Sequence, residues 1–326
     1  MKVLLEGIPG RADELQDCFS GCLESLLAYH GLDLALLHFD EWHFALEGTG
    51  PDRFRVAAQT RDSVASLGRF GVELQRQQEA DFASGWSRLC AELDQGWPLL
   101  ALVDTEPLRA CYYPGQPLHS PHTVVVNGYG ADRVAIVDPS PYTNFAGEIP
   151  LGIFAPAWQA VALGEVPWVW CCLRVPPQVP PRGPQELWAC MRGNLEGMLE
   201  GGAAGWGLAG VRQLAGWIEE MVGWQEALQA VALAQAAQLK WVGLARRQHA
   251  RFLRHAGEVL GISGLAGLGA AVEEVAQEWM VARNLALKGR RRPRADLVRR
   301  LSCRLEALAE WEGLLLGRLE EALAGR

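Results

Sequence analysis

The sequence has no Cys-x-x-Cys pair, no long hydrophobic run and no excess of basic residues, and each absence excludes a class of protein. Its eight cysteines are dispersed through 326 residues without a Cys-x-x-Cys pair, so we expect reduced thiols and no metal site. No apolar run approaches the roughly 20 residues that span a bilayer, and the apolar stretch at the start is too short for a secretory signal. The formal net charge of −8 argues against nucleic acid or a membrane as partner. We therefore expect a cytoplasmic protein.

A proline-rich segment divides the chain into two halves of different character. The stretch VPPQVPPRGP, residues 175–184, has five prolines in ten residues, and neither a helix nor a central strand passes through such a run. Before it, short β-like runs alternate with helical patterns, whereas the sequence after it has Ala, Leu, Glu, Arg and Trp at helical spacing. The prediction is an α+β domain over residues 1–178 and an all-α domain over residues 185–326.

Two cysteines stand four residues apart at the start of a predicted helix, in LQDCFSGCLESLLAYHGLDL, residues 15–34. Asp17 is suited to the N-cap and Gly31 to the position just after the helix. Cys22 falls in the apolar stripe, which predicts a core position. Cys18 falls in the first turn, where free backbone N–H groups and the helix dipole stabilise a thiolate. Cys18 is therefore the candidate nucleophile.

A thiolate nucleophile needs a base, and SPHTVVVNGYGADRVAIVDPS, residues 120–140, supplies a histidine and an aspartate. Two β-rich runs flank a turn, which predicts a hairpin. A hairpin centred on Gly130 places His122 opposite Asp138, with Cβ atoms about 4.5–5.5 Å apart, close enough for an imidazole–carboxylate hydrogen bond. A slip of one residue would put the two side chains on opposite faces. We predict that Cys18, His122 and Asp138 converge as nucleophile, base and orienting group.

The Asp-Cys step followed by a histidine and an aspartate on two successive strands resembles the papain-like cysteine peptidases that cleave double-glycine leaders from bacteriocins. The resemblance implies a papain-like fold for the α+β domain. That family has a glutamine six residues before the cysteine, as an oxyanion donor, where this sequence has Ala12. Gln16, two residues before Cys18, is the nearby substitute for that role.

A second resemblance covers more of the chain. The Cys-x10-Tyr-x-Gly pattern beginning at Cys18, and PLLALVDTEPLRACYYPGQPLHSPHTVVVNGYG, are similar to the N-terminal domain of the butirosin biosynthesis protein H family. The later segments RRQHARFLRHAG and EVAQEWMVARNL are similar to the helical domain behind it, which we expect to border the active site. The family commonly has Glu directly after the nucleophile, where this sequence has Phe19.

This resemblance implies acyl transfer rather than proteolysis. The donor would be a phosphopantetheine thioester on an acyl or peptidyl carrier protein, the acceptor a small-molecule amine, and the setting antibiotic biosynthesis. No bound cofactor is implied beyond the carrier's phosphopantetheine. Two alternatives stay open: hydrolysis or cyclisation by the same three residues, as in a thioesterase, cyclase or peptidase, and a binding or scaffolding protein without turnover. The oligomeric state is not predicted.

Other residues are candidates for binding. Tyr112, Tyr113 and His119 lie just upstream of His122 and are expected to line the pocket. The cluster HFDEWH, residues 38–43, contains two histidines, but their five-residue spacing matches no familiar zinc motif.

Two basic segments are candidate surfaces for an acidic carrier protein. No acidic residue occurs between Glu226 and Glu258, and Arg247 and Arg251 share one helical face there with Arg254 and His255. Residues 288–304 contain eight Lys and Arg against one Asp. A solvated helix face and a loop is the favoured explanation of either segment, although arginine suits phosphate recognition.

Overall fold

The computed structural model describes most of the chain, and its contacts divide into two compact units. The first unit comprises Met1–Leu37 and Ser63–Pro180, and the helical unit comprises His38–Asp62 and Pro181–Arg326. The segment His38–Asp62 therefore groups with the helices, whereas the sequence analysis placed it in the first domain. The structure describes residues 2–10, 17–32, 42–58, 67–68, 70–113, 119–140, 143–159, 168–179, 183–199 and 205–324.

The described strands of the first unit are β1 Val3–Leu4, β4 Glu73–Gln78, β5 Leu99–Asp104, β6 Pro121–Tyr129, β7 Arg133–Asp138, β8 Phe145–Pro150 and β9 Val169–Arg174. They form a seven-stranded antiparallel sheet in the order β4-β9-β5-β6-β7-β8, with β1 paired to β6. The described helices of this unit are α1 Cys18–Tyr29, α2 Phe82–Asp94, α3 Thr105–Leu108 and α4 Leu151–Gln159.

The sheet is buried on both faces, which explains the near-continuous apolar runs of β5 and β6. On one face, Cys22 and Leu26 of α1 form a core with Leu100 of β5 and Val125 of β6. On the other face, side chains of α2 and α4 form a second core with strand residues that include Val124, Val126 and Ile136. This architecture is α+β, as predicted.

The β6–β7 hairpin differs from the predicted register by two residues. Val126 pairs with Ile136, whereas a hairpin centred on Gly130 would pair Val126 with residue 134. The tight turn lies further along the chain than Gly130, which shifts the pairing of the two strands relative to the prediction. A β-bulge within β6 reverses only part of this shift. Between the bulge and the start of β6, the shift of two residues leaves the side chains on their predicted face, since the side-chain period of a strand is two. The histidine and the aspartate of the hairpin therefore share a face as diagonal rather than direct neighbours.

The helical unit consists of helices around a two-stranded hairpin. The hairpin strands are β2 Ala45–Gly50 and β3 Arg53–Ala57. The helices are α5 Pro184–Leu199, α6 Gly207–Glu220, α7 Glu226–Gln235, α8 Leu239–Leu260, α9 Ser263–Arg291 and α10 Ala295–Ala324. Backbone N–H groups of Phe54 and Val56 donate to side chains of Gln235 and Gln238 at 2.7 and 2.8 Å. These bonds and the buried apolar side chains of the hairpin explain why it groups with the helices.

A buried ion pair joins three helices and the segment before the hairpin. The guanidinium of Arg246 donates to both carboxylate oxygens of Glu312 at 2.8 and 2.9 Å and to the His43 carbonyl at 2.8 Å. The same carboxylate accepts the indole N–H groups of Trp42 at 3.0 Å and Trp279 at 2.7 Å. Both charged side chains are fully buried. Such a pair is tolerated in an apolar interior only because its hydrogen-bonding groups are met by fixed partners.

None of the helices that the structure describes has the length and apolar character needed to cross a membrane.

Replacing Glu312 tests this buried pair. Glu312→Gln removes the negative charge and leaves the Arg246 guanidinium buried beside a neutral amide. We expect the free energy of unfolding to fall by about 3–5 kcal/mol, as for other broken buried pairs, measured by urea denaturation. Glu310→Gln, at an exposed position of the same helix, is the matched control and should change stability little. Equal stability of both variants and the wild type would contradict this interpretation.

Candidate active site

Cys18 is the first residue of α1, as predicted. The Asp17 carboxylate caps the helix by accepting the Ser20 backbone N–H and the Ser20 hydroxyl, each at 2.9 Å. The backbone N–H groups of the first turn have no carbonyl partner within the helix, so they create a positive potential around Cys18. The start of the helix therefore favours a thiolate at this position.

The second cysteine of α1 holds the helix against the sheet. The Cys22 thiol is fully buried and donates to the Thr123 carbonyl of β6 at 3.2 Å. Because Cys18 precedes Cys22 by about one helical turn, this contact brings the N-terminus of α1 to the start of β6, where His122 lies.

His122 and Asp138 form the hydrogen bond that the sequence predicts. Nε2 of His122 lies 2.8 Å from Oδ2 of Asp138, and both side chains are buried. The other carboxylate oxygen, Oδ1, accepts the Ser140 backbone N–H at 3.0 Å. Because Nε2 faces Asp138, Nδ1 is the ring nitrogen left for the hydrogen bond between His122 and the Cys18 thiol. The structure therefore brings the three predicted residues together in one hydrogen-bonded chain.

The electrostatics of this chain favour a thiolate–imidazolium pair. Burial by itself raises the pKa of the Cys18 thiol, but the hydrogen bond to His122 and the charge of its ring outweigh it, and the pKa is lowered. Burial by itself lowers the pKa of His122, but the hydrogen bonds to Asp138 and Cys18 and the two opposing charges raise it to about 9. Each partner stabilises the charged form of the other.

Cys22 has the opposite environment from Cys18. Burial, followed by the nearby charges of Cys18, Asp138 and Asp17, raises its pKa well above that of an ordinary thiol. It therefore stays protonated, consistent with its prediction as a core residue.

Aromatic side chains surround the histidine and the aspartate. The Tyr113 ring meets His122 edge-on, with centroids 5.1 Å apart, and Tyr112 stacks on Phe145 with centroids 4.2 Å apart. Burial and the neighbouring Asp138 carboxylate raise the pKa of Tyr112, so its phenol stays protonated. The predicted pocket residues Tyr112 and Tyr113 thus lie at the site, whereas Phe145 was missed because a phenylalanine at a strand start carries no distinctive sequence signal.

His119 also lies at this end of the sheet, paired with an aspartate that the sequence analysis did not select. Nδ1 of His119 is 2.8 Å from Oδ2 of Asp104. Asp104 ends β5 within the motif LVDT and caps α3 by accepting the Glu106 backbone N–H at 3.1 Å. The sequence signal that could have identified Asp104 is its position at the end of a strand, next to the strand that carries His122.

Gln16, the predicted oxyanion residue, and residues 38–41 of the HFDEWH cluster lie outside the described residues. Arg247 and Arg251 lie on α8 of the helical unit, on the predicted face. Glu273 of α9 forms ion pairs with Arg254 and with Arg247, the latter at 3.5 Å, so this basic face is partly neutralised. Within residues 288–304, Arg294 is likewise paired with Asp296, at 2.8 Å.

Alkylation by iodoacetamide tests the thiolate–imidazolium pair. Asp138→Asn removes the charge that raises the pKa of His122, which weakens the imidazolium and raises the pKa of Cys18. We expect the alkylation rate of Cys18 near pH 6.5 to fall by about tenfold for each unit that the pKa rises. The difference should narrow as the pH rises through the pKa of the Cys18 thiol in the variant, where this thiol ionises without help from His122.

The alkylation rate is read from the Cys18-containing peptide by mass spectrometry across pH 5.5–10. Asp132→Asn is the matched control, since Asp132 is an exposed carboxylate in the turn of the same hairpin. A rate profile of Asp138→Asn that coincides with those of the wild type and the control would refute the pairing.

Comparison with known proteins agrees with the resemblance drawn from the motifs. Residues 17–139, which include the whole Cys18–His122–Asp138 chain, match the family model described as butirosin biosynthesis protein H, N-terminal. A search of curated proteins finds no match. The helical unit beyond residue 180 lies outside the matched range, so its resemblance to the family's helical domain stays a prediction. Over residues 17–139 this chain is therefore similar to the N-terminal domain of the butirosin biosynthesis protein H family.

Proposed function

We propose that the protein is a cysteine-dependent acyltransferase of natural-product biosynthesis. In this proposal it moves an acyl group from a carrier-protein phosphopantetheine thioester to an amine through a Cys18 acyl-enzyme. The observation that carries it is the hydrogen-bonded chain from Cys18 through His122 to Asp138, inside the segment that matches butirosin biosynthesis protein H. Activated thiols and thioesters exchange acyl groups readily, since one sulfur leaving group replaces another.

The first step is acylation of the enzyme. The Cys18 thiolate attacks the thioester carbonyl, and the carbonyl oxygen takes up the negative charge of the tetrahedral intermediate. The Cys18 backbone N–H, at the start of α1, is the first donor to that oxygen. The intermediate collapses with cleavage of the bond to the pantetheine sulfur, and the His122 imidazolium gives that sulfur its proton. The products are a Cys18 thioester, free phosphopantetheine thiol and neutral His122.

The second step is transfer to the acceptor. The amine nitrogen attacks the Cys18 thioester, the nitrogen loses a proton to a base, and the Cys18 sulfur leaves. His122, neutral after the first step, takes up one proton as the thiolate reforms beside it, in exchange for the proton that the amine nitrogen gives up directly or through solvent. Asp138 holds the ring so that Nδ1 stays aimed at the sulfur throughout, as the orienting carboxylate does in catalytic triads. Tyr113, against the ring edge, restricts rotation of His122 out of this geometry.

Hydrolysis by the same residues is the alternative, because water can replace the amine in the second step. A thioesterase or peptidase would give the acid as product, and a cyclase would use an amine of the acyl group itself. The Cys18–His122–Asp138 chain serves all of these reactions, so the acceptor decides among them.

The carrier protein would be the macromolecular partner. Carrier proteins are typically acidic, and phosphopantetheine adds a phosphate, so arginines suit both groups. Arg251 and the exposed basic residues of 288–304 are the candidate contacts; the charge of Glu273 acts on both Arg247 and Arg251.

Intact-protein mass spectrometry tests the nucleophile. After incubation with a panel of acyl-pantetheine thioesters, we expect the wild type to gain the mass of one acyl group. Cys18→Ala should lose the adduct entirely, because the alanine has no nucleophile. Cys22→Ala is the matched control on the same helix and should retain it. Adducts on neither the wild type nor Cys22→Ala would count against acyl transfer and favour a peptidase or a non-catalytic protein.

The acceptor is tested on the isolated acyl-enzyme. Addition of a primary amine such as glycinamide should discharge Cys18 and release the amide, detected by liquid chromatography and mass spectrometry. Release of the free acid alone, at a rate independent of the amine concentration, would favour a thioesterase over a transferase.

A further inference from the structure

The first unit holds a second histidine–aspartate pair next to the one that serves Cys18. Nδ1 of His119 lies 2.8 Å from Oδ2 of Asp104, the same separation as between His122 and Asp138. In both pairs the aspartate ends a strand and its carboxylate is buried. In both, the second carboxylate oxygen accepts a backbone N–H two residues further along, from Glu106 in one pair and from Ser140 in the other.

The strand register places this second pair beside the candidate active site. β5 and β6 are antiparallel neighbours, with Val103 opposite His122 and Asp104 opposite Pro121. Asp104 also lies an even number of residues after Leu100, so the two side chains point to the same face of the sheet. Leu100 packs in the core formed by α1. Asp104 therefore lies on the face that α1 covers, whereas His122, opposite Val103, starts from the other face. Both residues lie at the same end of the sheet, where α1 begins with Cys18.

The two pairs differ in exposure, and the difference suits two different tasks. The His122 side chain is 5% exposed, whereas the His119 side chain is 50% exposed. His122 is enclosed by Cys18, Asp138 and Tyr113. With Nδ1 of His119 held by a buried carboxylate, the second ring nitrogen, Nε2, is the one available to a ligand or water. A histidine held in this way is a proton acceptor with a fixed tautomer and an open path to solvent.

We propose that His119 is the base that takes the proton from the acceptor amine, with Asp104 as its positioning residue. This inference rests on the proposed acyl transfer and specifies its second step. An amine nitrogen forms a bond to the carbonyl carbon of the Cys18 thioester, and its proton passes to Nε2 of His119. The carbon–sulfur bond then breaks, the Cys18 sulfur leaves as a thiolate beside His122, and His119 releases the proton to water. One proton from the solvent returns to neutral His122, which restores the thiolate–imidazolium pair.

The need for a second base follows from the state of the amine. Most aliphatic amines are protonated near neutral pH, so an acceptor must lose one proton before it can attack and another as the amide forms. The His122 ring is buried and already forms a hydrogen bond with the Cys18 sulfur, so it is poorly placed to release these protons to solvent. A half-exposed ring at the same strand end can pass them to solvent, and such proton transfer contributes typically 10²–10⁴-fold to a rate.

The test separates acylation from transfer. The wild type, His119→Ala and His119→Gln are loaded with S-acetylpantetheine, the excess donor is removed, and the acetyl-enzymes are mixed with glycinamide. Formation of the Cys18 adduct is followed by intact mass, and the products are scored as the ratio of acetylglycinamide to acetate. His119→Gln is the matched variant, since its amide can still donate to Asp104 but cannot take a proton.

We expect both variants to form the acetyl-enzyme at a rate within about twofold of the wild type. In both variants, the amide-to-acetate ratio should fall at least about tenfold. We expect a smaller fall than a general base typically gives because glycinamide is only a model acceptor. A wild-type ratio in His119→Ala would overturn the assignment. A wild-type ratio in His119→Gln with a loss only in His119→Ala would overturn the proton transfer, because hydrogen bonding alone would then suffice. Failure of the wild type to form any acetyl-enzyme would overturn the acyl-transfer proposal itself and this inference with it.

Discussion

The buried hydrogen bond between His122 and Asp138 is the constraint on which the candidate site depends. A fully buried carboxylate is unfavourable unless fixed donors satisfy it, and here a ring nitrogen and one backbone N–H do so. Satisfying the carboxylate in this way leaves Nδ1 of His122 directed at Cys18. Against the effect of burial, Asp138 and Cys18 together raise the pKa of His122 to about 9. The protonated His122 ring then stabilises the Cys18 thiol as a thiolate. The same bond that makes Asp138 tolerable in the core therefore activates the cysteine.

The Arg246–Glu312 pair shows how a similar solution serves structure alone. Both pairs place a charged group in an apolar interior and surround it with directional donors. In the helical unit the carboxylate is saturated by the guanidinium and two indoles, and the bonds run between residues far apart in sequence. At the candidate site, by contrast, the chain of hydrogen bonds ends on a thiol in a first helical turn. Because this chain of hydrogen bonds ends on a reactive thiol, the His122–Asp138 pair can take part in chemistry.

The register of β6 and β7 shows why part of the site was predictable despite a wrong detail. The predicted pairing was displaced by two residues, because neither the position of the tight turn nor the bulge in β6 is encoded by a simple pattern. The side chains nonetheless kept their faces, since an even displacement preserves alternation. His122 and Asp138 reach each other diagonally, which an imidazole and a carboxylate can span. The alternation of side chains along each strand was therefore predicted correctly around His122 and Asp138, although the pairing between the two strands was not.

The sequence by itself determined the local features of this protein: the capped start of α1, the contrast between Cys18 and Cys22, the strands of the β6–β7 hairpin and the proline-rich end of the first unit. These follow from capping, periodicity and backbone restriction, which act over a few residues. Only the tertiary structure decided that His38–Asp62 joins the helical unit, that Glu273 faces the arginines of α8, and that Asp104 pairs with His119. Those outcomes depend on which distant elements meet, and side-chain spacing along one element carries no information about its partners.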